Sequence, residues 1–398
     1  MNDKMKILIL TETFPDENGS QAAVFIFNQA VCLKKAGVDV SVLYIDLRSI
    51  RRKRRLFASN YSIDGVKVYR YAVPVGPLKR LLKIVTPWAL VHGYRYYLRN
   101  EAQPDLIHAH FGNAGRDAAL IKEKYRIPYI ITEHDSSLVS DEAIDTEKLK
   151  MLQEGYHHAG KIICVSKALE EKVNTITSIP SQVLYNFIPD YFNYHPQSRS
   201  SVFTYIFVGN LIERKGIIEL LEAFYQFKKK DKNIRLLIIG EGPLYSRITL
   251  LMKKYGLSDS VELVGTVVNR DLPGYYNLSD CFILPSHNET FGMVYAEALC
   301  CGLPVIATKC GGPEEFIDQS NGLLIDKENP RELLSAMMRI KDQSGSYDRA
   351  AISETSRRFF DENYLTEELI SIYRNEMKRQ VSSVNPVTVS GNGTDMMN

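Results

Sequence analysis

The chain has 398 residues, room for two domains of ~100–200 residues each, and its 45% hydrophobic and 24% charged content excludes a disordered or fibrous protein. Its six cysteines (Cys32, Cys164, Cys281, Cys300, Cys301, Cys310) show no zinc-type spacing and read as reduced, core-filling thiols. No apolar run approaches the ~20 residues that cross a bilayer, and no nucleic-acid-binding motif accompanies the charge, so the expectation is a cytoplasmic protein, soluble or peripheral at the inner face of the cell membrane.

The opening MNDKMKILILTETFP is too short in apolar residues for a signal peptide and predicts a first strand at Lys6–Leu10. The loop after it carries Asn18, Gly19 and Ser20, a flexible segment suited to phosphate or acceptor contact. A helical pattern at Ala22–Lys35 and a strand at Val38–Ile45 follow. Residues 1–100 hold 17 Lys/Arg against 7 Asp/Glu, densest at Arg48–Arg55 and around Lys79, Arg80 and Lys83. Two readings stand: a solvated basic surface, or a platform for anionic lipid headgroups or an anionic acceptor. After a strand at Val66–Val73, Leu78–Leu98 mixes Leu81, Ile84, Trp88 and Leu90 with basic residues, an amphipathic surface helix interrupted at Pro87.

Strands at Asp105–His108, Tyr129–Thr132, Lys161–Val165 and Gln182–Tyr185 alternate with helical patterns at Gly115–Tyr125 and Lys148–His158. Continuous apolar strands between helices predict a parallel sheet covered on both faces. His108 and His110 raise a metal-ligand possibility, but strand alternation is taken to send them to opposite faces, and no metal site is expected. His134, at a strand end, suits either a structural role or a hydrogen bond to a sugar hydroxyl.

Residues 187–202 (FIPDYFNYHPQSRSSV) break the rhythm and separate a domain of residues 1–190 from one of residues 200–363. Strands restart at Tyr205–Val208, Arg235–Ile239, Val261–Val264, Cys281–Leu284, Val305–Ala307 and Gly322–Ile325. The fold class is therefore α/β, two doubly wound Rossmann-like domains facing a central cleft where strand ends hold a ligand. A final helix at Thr366–Met377 precedes a polar tail, residues 381–398, expected to be disordered.

Chemistry concentrates in the second half. In PSHNETFGMVYAE, Glu289 falls in the loop after a strand, and Glu297 lies eight positions on, the span of a little over two helical turns, in a helix starting near Phe291 or Gly292. The first amides of that helix lack partners and its dipole is positive there, so Phe291, Gly292, Met293 and Val294 form an entry fit for a diphosphate. The carboxylates should then face hydroxyls, sugar for Glu289 and ribose for Glu297; alternatively Glu289 caps the helix and Glu297 is an exposed charge. In VGNLIERKG, Gly209 ends a strand, and Arg214 and Lys215 stand ready to stabilise charge on a departing diphosphate. Gly240 and Gly242 permit a tight turn and close backbone approach, and Val267 follows another strand end where its backbone would meet the base.

Together these motifs, with ALCCGLPVIA and GGPEE after them, resemble glycosyltransferase family 4, retaining enzymes of the GT-B architecture, over nearly the whole chain to about residue 380. The resemblance implies that Arg214 and Lys215 bind the donor diphosphate, Glu289 the donor sugar and Glu297 the ribose, with His134 beside the transferring sugar. It implies a nucleotide-sugar donor as substrate, no cofactor, no metal, and a C-terminal helix, residues 364–380, crossing back onto the first domain. Many relatives carry a double-glycine loop after the first strand, where this chain has only Asn18-Gly19-Ser20. TETFPDENGSQAAVF, HAHFGNAG and TEHDSS look like bacterial enzymes of exopolysaccharide, capsule or teichuronic-type synthesis, with a saccharide or lipid-linked acceptor. A sugar-nucleotide 2-epimerase and a non-catalytic nucleotide-sugar-binding protein share the architecture and stand as alternatives.

Overall fold

The computed structural model describes residues 4–15, 23–47, 55–75, 79–140, 142–197 and 200–384. The loop residues Asn18, Gly19 and Ser20 and the basic residues 48–54 lie outside them.

Two parallel sheets organise the chain. The first contains β1 (Lys6–Thr11), β2 (Asp39–Asp46), β3 (Phe57–Ile63), β4 (Val66–Ala72), β5 (Leu106–His110), β6 (Tyr129–Glu133), β7 (Ile162–Cys164) and β8 (Ser181–Val183), in the order β3-β4-β2-β1-β5-β6-β7-β8. The second contains β9 (Phe203–Val208), β10 (Ile234–Ile239), β11 (Val261–Gly265), β12 (Cys281–Leu284), β13 (Val305–Thr308) and β14 (Gly322–Ile325), ordered β11-β10-β9-β12-β13-β14. Every pairing is parallel except β3 with β4. Strands such as ILIL in β1, FTYIFV in β9 and CFIL in β12 are buried along their length, as sheets covered on both faces require.

The helices are α1 (Val24–Lys35), α2 (Lys79–Asn100), α3 (Phe111–Tyr125), α4 (Thr146–His157), α5 (Lys167–Ile176), α6 (Ile217–Lys230), α7 (Tyr245–Tyr255), α8 (Leu272–Asn277), α9 (Met293–Cys300), α10 (Pro330–Asp342), α11 (Arg349–Phe359) and α12 (Glu362–Val384). In α12, Leu365, Leu369, Ile370 and Tyr373 join Ile7, Ile9, Ile26 and Val40 in one apolar cluster, so this last helix packs on the first sheet. Glu376 sits so close to Gly160 that a Cβ there would lie 1.9 Å from its carboxylate.

One strand was not anticipated, and three expectations need correction. The edge strand β3 escapes the apolar pattern because FASNYSI is mostly exposed; it belongs to the sheet through its antiparallel ladder with β4. Pro87 does not interrupt α2, which runs through it and buries Ala89, Leu90, Tyr94 and Tyr97. Packing there outweighs the missing N–H. His108 and His110 share a face, their rings 4.4 Å apart, because alternate residues of a strand point the same way. The helix at the C-terminus continues to Val384, past the expected start of the tail.

Candidate active site

The second sheet reverses its strand order between β9 and β12, and the crevice at such a switch point is where open α/β sheets bind ligands. Both motif loops leave the carboxyl ends of these two neighbouring strands. After β9, residues Glu213–Lys215 form a 3-10 turn that Gly216 closes at φ 64°. A Cβ on Gly216 would stand 2.0 Å from the carbonyl oxygen of Pro285, so only glycine lets the turn seat on the loop after β12. The His287 amide then donates to the Arg214 carbonyl at 2.8 Å, locking the loops together.

This brings the charged side chains into one cluster. Lys215 Nζ is ion-paired to Glu289 Oε1, and Ser286 Oγ donates to the same oxygen at 2.8 Å. Arg214 Nη1 donates to the Asn288 carbonyl at 2.9 Å and to Asn288 Oδ1 at 3.1 Å. Glu289 is 7% exposed, and its backbone is pinned by Cys310 O at 3.1 Å and by the Gly312 amide at 3.0 Å. It does not cap the helix: the residue before α9 is Gly292, at φ 88°. The first amides of α9, at Met293 and Val294, have no acceptor within the helix by its geometry. Both side chains are half-buried, whereas the Phe291 ring sits in the core against Phe316 and Phe360 and its backbone packs against Gly312.

Glu297 is no exposed helix charge. It is 4% exposed and accepts from Tyr276 OH at 3.2 Å and Asn269 Nδ2 at 3.3 Å. Burial pushes its carboxyl up to about 7, partly offset by those two hydrogen bonds. Asn269 in turn receives the Tyr191 hydroxyl at 2.5 Å. It also borders a crevice of about 1010 Å³ between α1 and the 268–270 loop, to which Arg214 and Lys215 do not contribute. Gly240 and Gly242 shape the wall beside β9, since Cβ atoms there would lie 2.0 Å from Gly209 O and 2.5 Å from Leu211 O. The Gly240 amide meets Gly265 O at 2.8 Å, and Val267 is half-buried beyond it.

From the first sheet comes His134, 8% exposed, at the end of β6. Thr290, the neighbour of Glu289, donates its hydroxyl to the His134 carbonyl at 3.2 Å, so the carboxyl edges of the two sheets meet here. Burial lowers the imidazole to about 3, which keeps it neutral at physiological pH. Three supports escaped the sequence reading. Glu133 is fully buried and accepts from the amides of His134 (2.8 Å), Asp135 (3.0 Å) and Gly112 (2.9 Å) and from Tyr156 OH (2.5 Å). Glu315 accepts from the first amide of α5, at Lys167 (2.5 Å), and from Tyr185 OH (2.9 Å), tying the GGPEE loop to the first sheet. His110 contacts the His134 ring at 3.0 Å. The only sequence signal for the first two was a carboxylate inside an otherwise recognised motif.

The family description Glycosyltransferase Family 4 matches residues 22–190, and Glycosyl transferases group 1 matches residues 195–359, so the two run end to end through both sheets. The chain belongs to glycosyltransferase family 4. Among relatives of this family 4 glycosyltransferase, TuaC of Bacillus subtilis (strain 168), named for teichuronic acid biosynthesis, is 27% identical over 85% of this chain and 90% of its own. MJ1178 of Methanocaldococcus jannaschii, an uncharacterised glycosyltransferase, is 32% identical over 59% of this chain and 65% of its own. In fold, it is similar to sucrose-phosphate synthase from Thermosynechococcus elongatus, with a TM-score of 0.79 at 20% identity over 94% of this chain and 100% of that one. It is likewise similar to Anabaena HepE in complex with UDP and glucose, with a TM-score of 0.72 at 19% identity over 92% and 99%. Both neighbours support the GT-B architecture.

Proposed function

We propose that this glycosyltransferase moves a sugar from a nucleotide-sugar donor to a saccharide or lipid-linked saccharide acceptor, with retention of anomeric configuration and without a metal ion, in the synthesis of a bacterial cell-surface polysaccharide. The observation that carries the reading is the junction of Arg214, Lys215 and Glu289 at the switch point, ahead of the amide-rich start of α9. A diphosphate entering between the two cations competes with Glu289 for the Lys215 ammonium and releases that carboxylate to a sugar hydroxyl. As the bond to the anomeric carbon breaks, negative charge grows on the leaving phosphate, where the two cations and the helix dipole are already placed. A leaving phosphate so held takes the acceptor's proton on the same face, which is the route to retention.

Glu297, one turn into α9, suits the ribose hydroxyls, and neutral His134 suits a hydroxyl of the transferring sugar. The solved HepE complexes with UDP and glucose and the name of TuaC support the donor class and the product class. A lipid-linked acceptor implies work at an anionic membrane surface, for which the basic first hundred residues are suited. No helix of the described residues is long and apolar enough to cross a membrane.

The test is a donor screen by thermal shift followed by transfer assays on undecaprenyl-linked acceptors. Glu289→Gln, and Arg214→Ala with Lys215→Ala, should each lower turnover by about a hundredfold or more with the fold intact, on the scale set by losing a preplaced electrostatic group. Turnover should survive excess EDTA. Wild-type rates in either variant would count decisively against the assignment, and consumption of donor without acceptor would favour an epimerase.

A further inference from the structure

The His134 ring is gripped from three directions. Phe25 and Phe111 lie against it with centroids 4.5 and 5.2 Å away, and His110 stacks nearly parallel at 5.3 Å with its Nδ1 3.0 Å from His134 Nε2. Behind His110 stands His108, whose Nδ1 meets Tyr373 OH of α12 at 2.7 Å and whose Nε2 meets Thr132 Oγ1 at 2.6 Å. Burial holds all three imidazoles far below their ordinary range, His108 and His134 at about 3. Each is therefore neutral at physiological pH and carries one ring N–H.

The contact between His110 and His134 then has two proton arrangements. If His134 Nε2 donates, His110 must hold its own proton on Nε2. That atom is buried and has no hydrogen-bond partner among the described residues, so the arrangement strands an N–H. If His110 Nδ1 donates instead, the same atom is merely an unfilled acceptor. Buried orphan donors are the rarer defect, so the second arrangement wins. It places the His134 proton on Nδ1, which, unlike His110 Nε2, is not one of the buried atoms without a partner, so no N–H is stranded.

We propose that His110 is a positioning residue. Its Nδ1–H donates to His134 Nε2, fixes His134 as the Nδ1–H tautomer, and so presents one N–H donor to a hydroxyl of the transferring sugar. This rests on His134 facing the donor sugar; Glu133 fixes the same residue through its backbone, and His110 fixes the ring.

Ring-nitrogen NMR of the full chain labelled in histidine reads the tautomer directly, without substitution. His134 should show a protonated Nδ1 and a bare Nε2, unchanged between about pH 5 and 8. His110→Leu should abolish that tautomer and lower kcat at least about tenfold, with the donor KM shifting less than about threefold. His110→Asn, whose amide N–H can donate from the same place, should restore most of kcat and the Nδ1–H signal. A protonated Nε2 on His134 in the wild type, or a wild-type kcat in His110→Leu, overturns the proposal. His134→Ala separates the two layers. If it transfers sugar at the wild-type rate, the sugar contact of His134 is wrong and the presenting role falls with it, while the NMR still decides the tautomer.

Discussion

Glu297 shows what a ligand-ready side chain costs in isolation. Its carboxyl titrates near 4.5 when exposed and about 7 when buried beside Tyr276 and Asn269. Between those values the folded chain binds more protons than the unfolded one. Its contribution to stability is therefore complete below about pH 4.5 and is lost as pH rises through about 7, a difference of roughly 3 kcal/mol. Glu297→Gln should flatten that part of the stability curve and raise the apo midpoint of thermal unfolding at pH 8 by several degrees. The Tyr276 hydroxyl can turn to accept from the new amide, so the site stays satisfied. The same variant should bind a nucleotide sugar at least about tenfold more weakly, since a ribose hydroxyl would face a neutral amide instead of a carboxylate. A substitution that leaves the pH dependence intact would show that another buried group governs it. Glu289, Glu297, Arg214 and Lys215 were legible in the sequence because their spacing from strand ends and a helix start is local. Glu133 and Glu315 were not, since what matters is the amide across the fold that each meets: Gly112 is 21 residues from the first, and Lys167 is 148 residues from the second.

At the scale of elements, the site depends on how closely two loops approach. The turn Glu213–Lys215 rests on the Pro285–Glu289 loop through Gly216, in the left-handed region with no room for a methyl group. Gly216→Ala therefore meets both penalties, an unfavourable φ and a collision with the Pro285 carbonyl, and should destabilise the chain by about 1–3 kcal/mol. The relief available is to lift the turn off the loop, which separates Lys215 from Glu289. Donor affinity should consequently fall more than the thermal midpoint alone would account for. Calorimetric titration with the donor, compared at equal fraction folded, checks this, and unchanged affinity would mean the loops move independently. Most strands and helices were legible from periodicity, since ILIL, FTYIFV and CFIL are buried throughout. Where tertiary context decides, the pattern fails: β3 is exposed and held by its ladder, and α2 runs through Pro87 because Leu90, Tyr94 and Tyr97 are buried on its inner face.

Over the whole molecule, exposed apolar surface gathers on α2 and at the start of β3, which follows a basic run in the sequence. Ile84 (73% exposed) and Trp88 (45% exposed) project from α2, and Leu56 and Phe57 project from the start of β3, directly after the basic run Arg48–Arg55. Phe57, Tyr71 and Trp88 form a chain of edge contacts at 6.4 and 5.9 Å, which joins the strand and the helix into one patch. Scattered exposed apolar residues need no explanation, but a contiguous aromatic patch that follows a basic run in sequence fits a lipid interface. Trp88 is the only tryptophan in the chain, so its emission reports on this patch alone. With vesicles containing anionic phospholipid its fluorescence should shift to the blue, and with neutral vesicles it should not. Raising the ionic strength well above physiological should reverse the shift, because a basic run at the surface contributes about 1 kcal/mol per charge and is screened within a Debye length. Neutralising Arg51, Arg52, Lys53, Arg54 and Arg55 together should therefore abolish binding at physiological salt, while Trp88→Ala should weaken sedimentation with vesicles without removing its salt dependence. Because α12 runs back onto the first sheet, membrane attachment there need not move the donor site, so transfer to a soluble acceptor should proceed at the same rate with and without vesicles. A salt-insensitive shift would point to insertion driven by the apolar patch alone, and no shift with anionic vesicles would leave the basic face as ordinary solvated surface.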